Sequence, residues 1–200
     1  MNEQEQAIAD DVWEAIQDFT RNDDRGMQSA DFRIGVSDLG FCAEKTSRML
    51  DQQVEPPTNM VKAFIGTALG DYVEKAYAKA HPNARTQVNV AVSVTIAGRE
   101  FLIPGHPDII DGNKVLDVKT AAGLTMATTH GANQQQRWQR MLYGLGAWQA
   151  GLLGDIPIED VEVGDIWLDR TGDEERLQVE LVPFDHAVID EAIEWLESVV

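Results

Sequence analysis

The sequence predicts an α/β protein in which a mixed sheet is flanked by helices, and changes in hydrophobic period are the main reason. Apolar residues recur at helical spacing through about residue 80, and the period then changes to alternation between Val88 and Ile96. Helical spacing returns over 134–152, and two strand patterns and a final helix follow. With 44% hydrophobic residues in 200, the chain suits a single domain over 1–200 with a sizeable core.

Helices are expected ahead of the first strand, over residues 4–20, 37–50 and about 58–80. The first lies in an acidic segment, residues 1–24. Ser37 is a suitable N-cap for the second, in which Leu39 and Cys42 are candidate inner positions. The third is expected to bury a wide apolar face that includes Ile65 and Tyr72.

Strands are expected at 88–96, 100–110, 114–118, 161–168 and 177–182, and helices at 134–152 and from about 185 to the end. Two Gly-containing turns separate the first three strands. Pro104 and Pro107 argue against a regular central strand and predict an edge or a bend near Asp108.

Composition limits the function classes. The chain carries 34 acidic and 16 basic residues, a net charge of −18, which argues against a general nucleic-acid binder. The charge is uneven, however: −7 over 1–24, −13 over 150–200 and +2 over 25–149. Cys42 is the single cysteine, so this chain alone is not expected to hold an iron–sulfur cluster. With no signal peptide or transmembrane stretch, we expect a cytoplasmic protein without a membrane partner.

The hairpin around residues 112–113 carries the most informative side chains. In a tight two-residue turn, the strand register places Asp108 opposite Asp117. Carboxylates opposed in this way repel each other unless a positive charge lies between them, and Lys119 projects from the same face as Asp117. Hard oxygen ligands suit magnesium or manganese. The alternative is a surface hairpin with solvated acids, although the apolar neighbours of Asp117 favour burial.

The pair Pro107-Asp108 followed by DVKT at 117–120 resembles the core motif of the PD-(D/E)XK nuclease superfamily. Thr120 at the end of this run, and Gln139 and Tyr143 as a Q-x-x-x-Y motif, resemble its RecB-like branch. That branch includes the CRISPR-associated exonucleases of the Cas-four type and their bacteriophage relatives. The resemblance implies a restriction-endonuclease-like core.

Two earlier segments extend the resemblance, and one departs from it. Residues 36–50 resemble the branch's Ser-x-Leu-x-x-Cys helix, and residues 66–74 resemble its G-x-x-x-H helix. Gly70 stands where the branch has a metal-binding His. Asp71 and Glu74 are the nearest groups that could replace it, and Glu74 is favoured because it lies one turn after Gly70.

The resemblance implies a magnesium- or manganese-dependent deoxyribonuclease, most simply an exonuclease. Asp108 and Asp117 are expected to hold the metal, and Lys119 to orient the attacking water or stabilise charge on phosphorus. Gln139 and Tyr143 are expected to position the DNA strand. Gln136, Gln139, Arg140 and Tyr143 share one polar stripe on their helix, so Arg140, Gln136 and also Thr120 are candidate substrate-binding residues.

Two other functions stay open. One is a catalytically inactive nuclease-fold partner protein in DNA recombination, replication or CRISPR adaptation, favoured by the missing His and the acidic surface. The other is an unrelated acidic binding protein in which the hairpin motif is accidental, and a structure with Asp108 and Asp117 on opposite faces of the sheet would favour it. The final residues read as an unfinished helix, so a truncated C-terminus stays open, as does the oligomeric state.

Overall fold

The computed structural model describes residues 6, 10–14, 34–40, 42–50, 60–171 and 177–199. The helices are α1 (Ala43–Leu50), α2 (Met60–Ala80), α3 (Thr125–His130), α4 (Gln134–Gln149) and α5 (His186–Val199). The strands are β1 (Arg85–Thr86), β2 (Val90–Ile96), β3 (Arg99–Gly105), β4 (Ile109–Asp111), β5 (Lys114–Ala121), β6 (Glu162–Asp169) and β7 (Gln178–Pro183). Residues 10–14 are also helical, in agreement with the first predicted helix, most of which lies outside the described residues.

A five-stranded sheet in the order β1-β4-β5-β6-β7 forms the centre of the molecule. Strands β5 and β6 are parallel and the other neighbours are antiparallel, so the predicted mixed sheet is confirmed. Helix α2 packs on β5 and β1, while α4 packs on β5 and β6. Strands β2 and β3 form a separate hairpin that packs against α4 and α5. None of the described helices has the length and apolarity needed to cross a bilayer.

The core lies between α4, α5 and the two sheets. The predicted alternation of β2 is confirmed, because Val90, Val92, Val94 and Ile96 are all buried. Helix α4 approaches the sheet closely: a Cβ atom added to Gly144 would lie 2.6 Å from Cγ1 of Val163. Small residues on α4 therefore set the distance between this helix and the strands.

The predicted helix over 37–50 is divided. A short 3-10 helix, Val36–Asp38, precedes Gly40, and α1 begins only at Ala43. Gly40 has a φ of 80°, a left-handed conformation that interrupts a helix and that few other residues adopt. Leu39 is fully buried as predicted, whereas the prediction of an inner position for Cys42 was wrong, because its side chain is exposed.

The predicted strand over 100–110 is also divided. Its first part is β3, which pairs with β2, and its last part is β4, which pairs with β5 and β1. The chain leaves one sheet and enters the other at residues 106–108. The bend predicted from Pro104 and Pro107 is confirmed, and it places Asp108 directly before β4.

The predicted apolar face of α2 is only partly buried. Tyr72 is 75% exposed and Ile65 is 40% exposed, while Phe64 and Val73 are half-buried. The reason is that α2 packs on a narrow part of the sheet, so much of its apolar face extends beyond the strands it contacts.

Candidate functional site

The β4–β5 hairpin brings two acids together. Ile109 pairs with Leu116, which confirms the predicted register, and Asp108 lies one residue before this ladder. Its Oδ2 atom accepts a 2.6 Å hydrogen bond from the Val118 backbone N–H. Burial raises the pKa of Asp108 to about 9, and the adjacent Asp117 carboxylate contributes to that rise. The two acids therefore share one site, so the arrangement that would favour an unrelated binding protein, with the acids on opposite faces, is not found.

Lys119 links this pair of acids to helix α4. Its ammonium group forms an ion pair with Asp117, which is only 5% exposed. Lys119 Nζ also donates a 2.6 Å hydrogen bond to Oε1 of Gln139, and Nε2 of Gln139 donates a 3.0 Å bond to the Tyr143 hydroxyl. Burial alone would lower the pKa of Lys119, but Asp117 outweighs it and the pKa is raised. The lysine is therefore held as an ammonium ion.

Tyr143 is 5% exposed and lies against the backbone of Gly105. A Cβ atom at Gly105 would lie 2.9 Å from Cε1 of Tyr143 and 3.0 Å from a methyl group of Val36. Burial is the main reason that the pKa of Tyr143 is raised. The requirement for glycine at position 105 was not predicted from the sequence, since it depends on the packing of α4 against the end of β3.

Helix α2 supplies a third carboxylate. Glu74 is 2% exposed, and its Oε2 accepts a hydrogen bond from Nε2 of Gln87. Its charge contributes to the raised pKa of Asp108, after the larger effects of burial and Asp117. A Cβ atom at Gly70 would lie 3.9 Å from Oε1 of Glu74, so this carboxylate borders the space next to residue 70. Asp71, the other candidate, is only half-buried.

Thr120 lies at the contact between α2 and β5. A Cβ atom at Gly66 would be 3.5 Å from its Oγ1 atom, and the side chain is half-buried. The two glycines of the segment 66–74 therefore lie beside Thr120 and Glu74, respectively. A substrate contact through Thr120 stays a prediction.

Two further acids near the site were not predicted. Asp165 on β6 pairs with Asp117 in the parallel ladder and is fully buried. Glu180 on β7 pairs with Asp165 on its other side. The sequence carries a signal for Asp165, because it lies within the apolar run VGDIW just as Asp117 lies within VLDV. No local pattern indicates that these two runs pair with each other.

Arg140 is placed differently from the prediction. It is 4% exposed, and its Nη1 atom lies 3.1 Å from Oδ2 of Asp165. Its Nη2 atom donates a 3.3 Å hydrogen bond to Oε1 of Glu180. Arg140 is the main reason that the pKa of Glu180 is lowered, in spite of the opposing effect of burial. A guanidinium group held in this way is not presented to a phosphate, so the predicted contact is not supported.

Gln136 has a local role at the start of α4. Its backbone N–H donates a 3.0 Å hydrogen bond to Oδ1 of Asn133, and its Oε1 accepts a 2.8 Å bond from the Asn133 backbone N–H. This reciprocal pair is a capping box, which stabilises the helix start without a substrate. Substrate binding by Gln136 stays a prediction.

The site is rich in carboxylate groups, whose oxygens are the ligands that hard divalent cations prefer. Carboxylates at the site outnumber the two cations Lys119 and Arg140; they are Glu74, Asp108, Asp117, Asp165 and Glu180. In the part of the chain that the structure describes, no three His, Cys, Asp or Glu side chains converge as a complete metal site. The crowding of carboxyl groups, which contributes to the raised pKa of Asp108, nevertheless fits a hard cation with oxygen ligands.

Comparison of the sequence alone finds no relatives: no protein-family model and no curated protein matches this chain. Comparison of the fold finds solved structures of similar fold. The crystal structure of SSO0001 matches with a TM-score of 0.63 and 17% identity, over 94% of this chain and 84% of that chain. The structure of LHK-Exo in complex with dAMP matches with a TM-score of 0.57 and 14% identity, over 83% and 85% of the two chains. The chain thus has a mixed α/β fold with a restriction-endonuclease-like core.

Proposed function

We propose that this protein is a magnesium- or manganese-dependent DNA nuclease of the RecB-like branch, acting as an exonuclease. The observation that carries the proposal is the association of Asp108, Asp117 and Lys119 at one buried site, with Lys119 bonded to Gln139 of α4. The order of these residues matches the motifs of that branch. The shared fold with LHK-Exo, whose structure contains dAMP, supports a nucleotide-containing substrate.

Asp108, Asp117 and Glu74 are the residues proposed to hold the cation. Asp108 and Asp117 are neighbours on the hairpin, and Glu74 approaches from α2. A bound magnesium or manganese ion lowers the pKa of a coordinated water and neutralises charge on the scissile phosphate. The raised pKa of Asp108 means that this carboxyl releases a proton as cation binding proceeds.

Lys119 is proposed to act on the reacting phosphate. Gln139 accepts a hydrogen bond from its ammonium group, which fixes the direction of a long side chain. Tyr143 in turn accepts a hydrogen bond from Gln139, so the tyrosine braces the glutamine. In this arrangement Lys119 stabilises negative charge on phosphorus or orients the attacking water, and the Q-x-x-x-Y pair keeps it there.

Degradation of linear DNA by the purified protein with magnesium tests the proposal. Asp117→Asn and Lys119→Met are expected to lower the rate at least about a hundredfold, because each removes charge at the reacting phosphate. Asp190→Asn and Lys75→Met are matched controls on exposed helix positions and should keep the wild-type rate. Undiminished cleavage by both Asp117→Asn and Lys119→Met would contradict the proposal.

Calorimetric titration with manganese tests the third ligand. Glu74→Gln should weaken manganese binding about tenfold or more, because it removes a buried carboxylate charge while its amide oxygen can still accept the bond from Gln87. Asp71→Asn, a matched change on the same helix, should leave the affinity unchanged. The reverse pattern would assign the ligand to Asp71 instead.

A second candidate is a catalytically inactive partner protein in DNA recombination, replication or CRISPR adaptation. It is favoured by Gly70 in place of the branch's metal-binding His. The same manganese titration separates the two functions. An inactive fold should show no manganese binding that depends on Asp108 and Asp117, whereas a nuclease should lose that binding when either is changed to Asn.

A further inference from the structure

Asp165 lies in the middle of a row of acids that crosses the sheet. Strand β6 runs between β5 and β7, and the register places Asp117 on one side of Asp165 and Glu180 on the other. Neighbouring strands are about 4.8 Å apart, so the three carboxylates lie close together. Only Asp117 belongs to the motifs recognised in the sequence.

The two oxygen atoms of Asp165 have different surroundings. Oδ2 lies 3.1 Å from Nη1 of Arg140. Oδ1 is buried and has no hydrogen-bond partner among the described residues, and the whole residue is 0% exposed. Native proteins rarely leave a buried carboxylate oxygen unpaired, because the lost hydration is not replaced. A hydrogen-bond donor that reaches this oxygen would therefore satisfy it.

Lys119 is the neighbour whose hydrogen bonds would complement that oxygen. An ammonium group has three N–H donors, and the described residues supply two acceptors, the Asp117 carboxylate and Oε1 of Gln139. The charges of Lys119 and Asp165 also act on each other. Burial raises the pKa of Asp165 to about 6 and Lys119 opposes that rise, while Asp165 is among the groups that raise the pKa of Lys119.

We propose that Asp165 is a positioning residue for Lys119, whose ammonium group it retains through Oδ1 once a divalent cation engages Asp117. Gln139 and Arg140 are consecutive residues of α4. Gln139 accepts a hydrogen bond from Lys119, and Arg140 forms an ion pair with Asp165. The inference rests on the proposed function. It assigns to Asp165 of β6 the positioning of Lys119, beside the residues of the β4–β5 hairpin.

The alternative, in which Asp165 is itself a metal ligand, is less consistent with its contacts. Nη1 of Arg140 lies 3.1 Å from Oδ2 of Asp165, and the positive charge of the guanidinium group opposes a divalent cation at that oxygen. Arg140 also bonds Glu180, which in turn accepts a 3.0 Å hydrogen bond from the Ala132 backbone N–H before α4. Asp165 thus belongs to the hydrogen-bond network that connects α4, the helix that carries Gln139, to the sheet.

A double-mutant cycle on the magnesium-loaded protein tests the inference. Asp165→Asn should lower kcat about ten- to a hundredfold with KM unchanged, because the lysine is no longer held in place. In a Lys119→Met background the same change should have no further effect. Asp190→Asn is the matched control on an exposed position. Equal losses in the two backgrounds, or no loss from Asp165→Asn, would overturn the inference.

A second measurement does not depend on activity. The ammonium signal of Lys119 in a nitrogen–proton NMR spectrum, assigned by its loss in Lys119→Met, should shift and broaden in magnesium-loaded Asp165→Asn. In Asp190→Asn it should match the wild type. An unchanged signal in Asp165→Asn would refute the positioning role. If the wild type degrades no DNA while the signal shifts, the nuclease proposal fails and the contact between Lys119 and Asp165 stands.

Discussion

The pKa of Asp108 depends on its burial and on three neighbours, Asp117, Glu74 and Val118. Burial, Asp117 and Glu74 all favour its protonated form, whereas the hydrogen bond from the Val118 backbone N–H favours the ionised form. Without a divalent cation, the carboxyl therefore keeps its proton at neutral pH in the folded protein, whereas in the unfolded chain it is ionised. The same residue that is proposed to bind metal is thus a source of pH-dependent stability.

We expect the free energy of unfolding in EDTA to fall as the pH rises from 7 to 8.5. A folded-state pKa of about 9, above the unfolded value of 3.8, means that the folded state binds more protons across this window. The stabilisation provided by protonated Asp108 is complete below the unfolded-state pKa of 3.8 and is lost as the pH rises to the folded-state pKa of about 9. The slope is at most about 1.4 kcal/mol per pH unit. Urea unfolding at several pH values measures it.

Asp108→Asn is the control for this slope. An amide does not titrate, yet its oxygen can still accept the bond from the Val118 backbone N–H. The difference between the wild-type and Asp108→Asn slopes of unfolding free energy against pH should therefore equal the contribution of the Asp108 carboxyl. Asp165, with a pKa of about 6, is already largely ionised in the chosen window and adds little. Equal slopes for wild type and Asp108→Asn would show that the proton resides elsewhere.

Reasoning from the residues alone predicted those site residues that are local to one hairpin, and the family resemblance added Glu74, Gln139 and Tyr143. Asp108, Asp117 and Lys119 lie within a dozen residues, so a turn type and a period of two suffice to bring them together. Asp165 required knowledge that β5 and β6 are parallel neighbours, a pairing across 48 positions of the chain that no local pattern encodes. The same holds for Gly105, whose constraint comes from Tyr143 on a distant helix.

Helix α4 is the element that connects the site to the core. Gln139 and Tyr143 lie on its site-facing side, and Gly144 and Gly146 allow it to approach the strands. Its start was predicted correctly at residue 134, while the boundaries of other elements depended on glycine and proline. Gly40 and the bend before Asp108 each interrupt a segment that the hydrophobic period alone predicts to be one continuous element.

Gly144→Ala should lower the free energy of unfolding by about 1–3 kcal/mol. Alanine is the better helix former by up to about 1 kcal/mol, but its Cβ would lie 2.6 Å from Cγ1 of Val163. Denaturant unfolding measures the balance of these two effects. A stabilised Gly144→Ala protein would mean that α4 can move away from β6 without loss.

A second substitution on the facing strand is the control. Val163→Ala removes the methyl group that the new Cβ would contact, so the double variant Gly144→Ala/Val163→Ala should be more stable than the sum of the two single changes predicts. Strict additivity would contradict the close contact. DNA degradation by the same variants reports whether a displaced α4 also displaces Gln139 and Tyr143.

At the scale of the molecule, the net charge of −18 remains an obstacle to DNA binding. The acidity of the C-terminal part is not confined to the surface, because Asp165 is fully buried and Glu180 lies beside it at the site. Their charges are partly compensated by Arg140. The site therefore adds to the negative field of the molecule.

DNA affinity should accordingly depend on divalent ions more than on salt. In EDTA, we expect weak binding with a shallow dependence on salt, far from the slope of about −0.9 per phosphate contact that is typical of basic proteins. Calcium should tighten binding about tenfold or more by neutralising the acids. Fluorescence anisotropy of a labelled oligonucleotide measures both effects. A steep salt dependence in EDTA would point to a basic surface instead.

The net negative charge also bears on solubility, because strand β7 exposes apolar side chains. Among the described residues it is the last strand of its sheet. Leu177, which directly precedes it, and Val179 and Leu181, which alternate along it, are all more than a third exposed. An open strand edge with apolar side chains is a template for pairing with another copy. Mutual repulsion between copies of charge −18 opposes that pairing, and it vanishes near the isoelectric point of about 4.4. The charge that opposes the proposed binding of DNA is thus also expected to keep concentrated protein from precipitating at neutral pH.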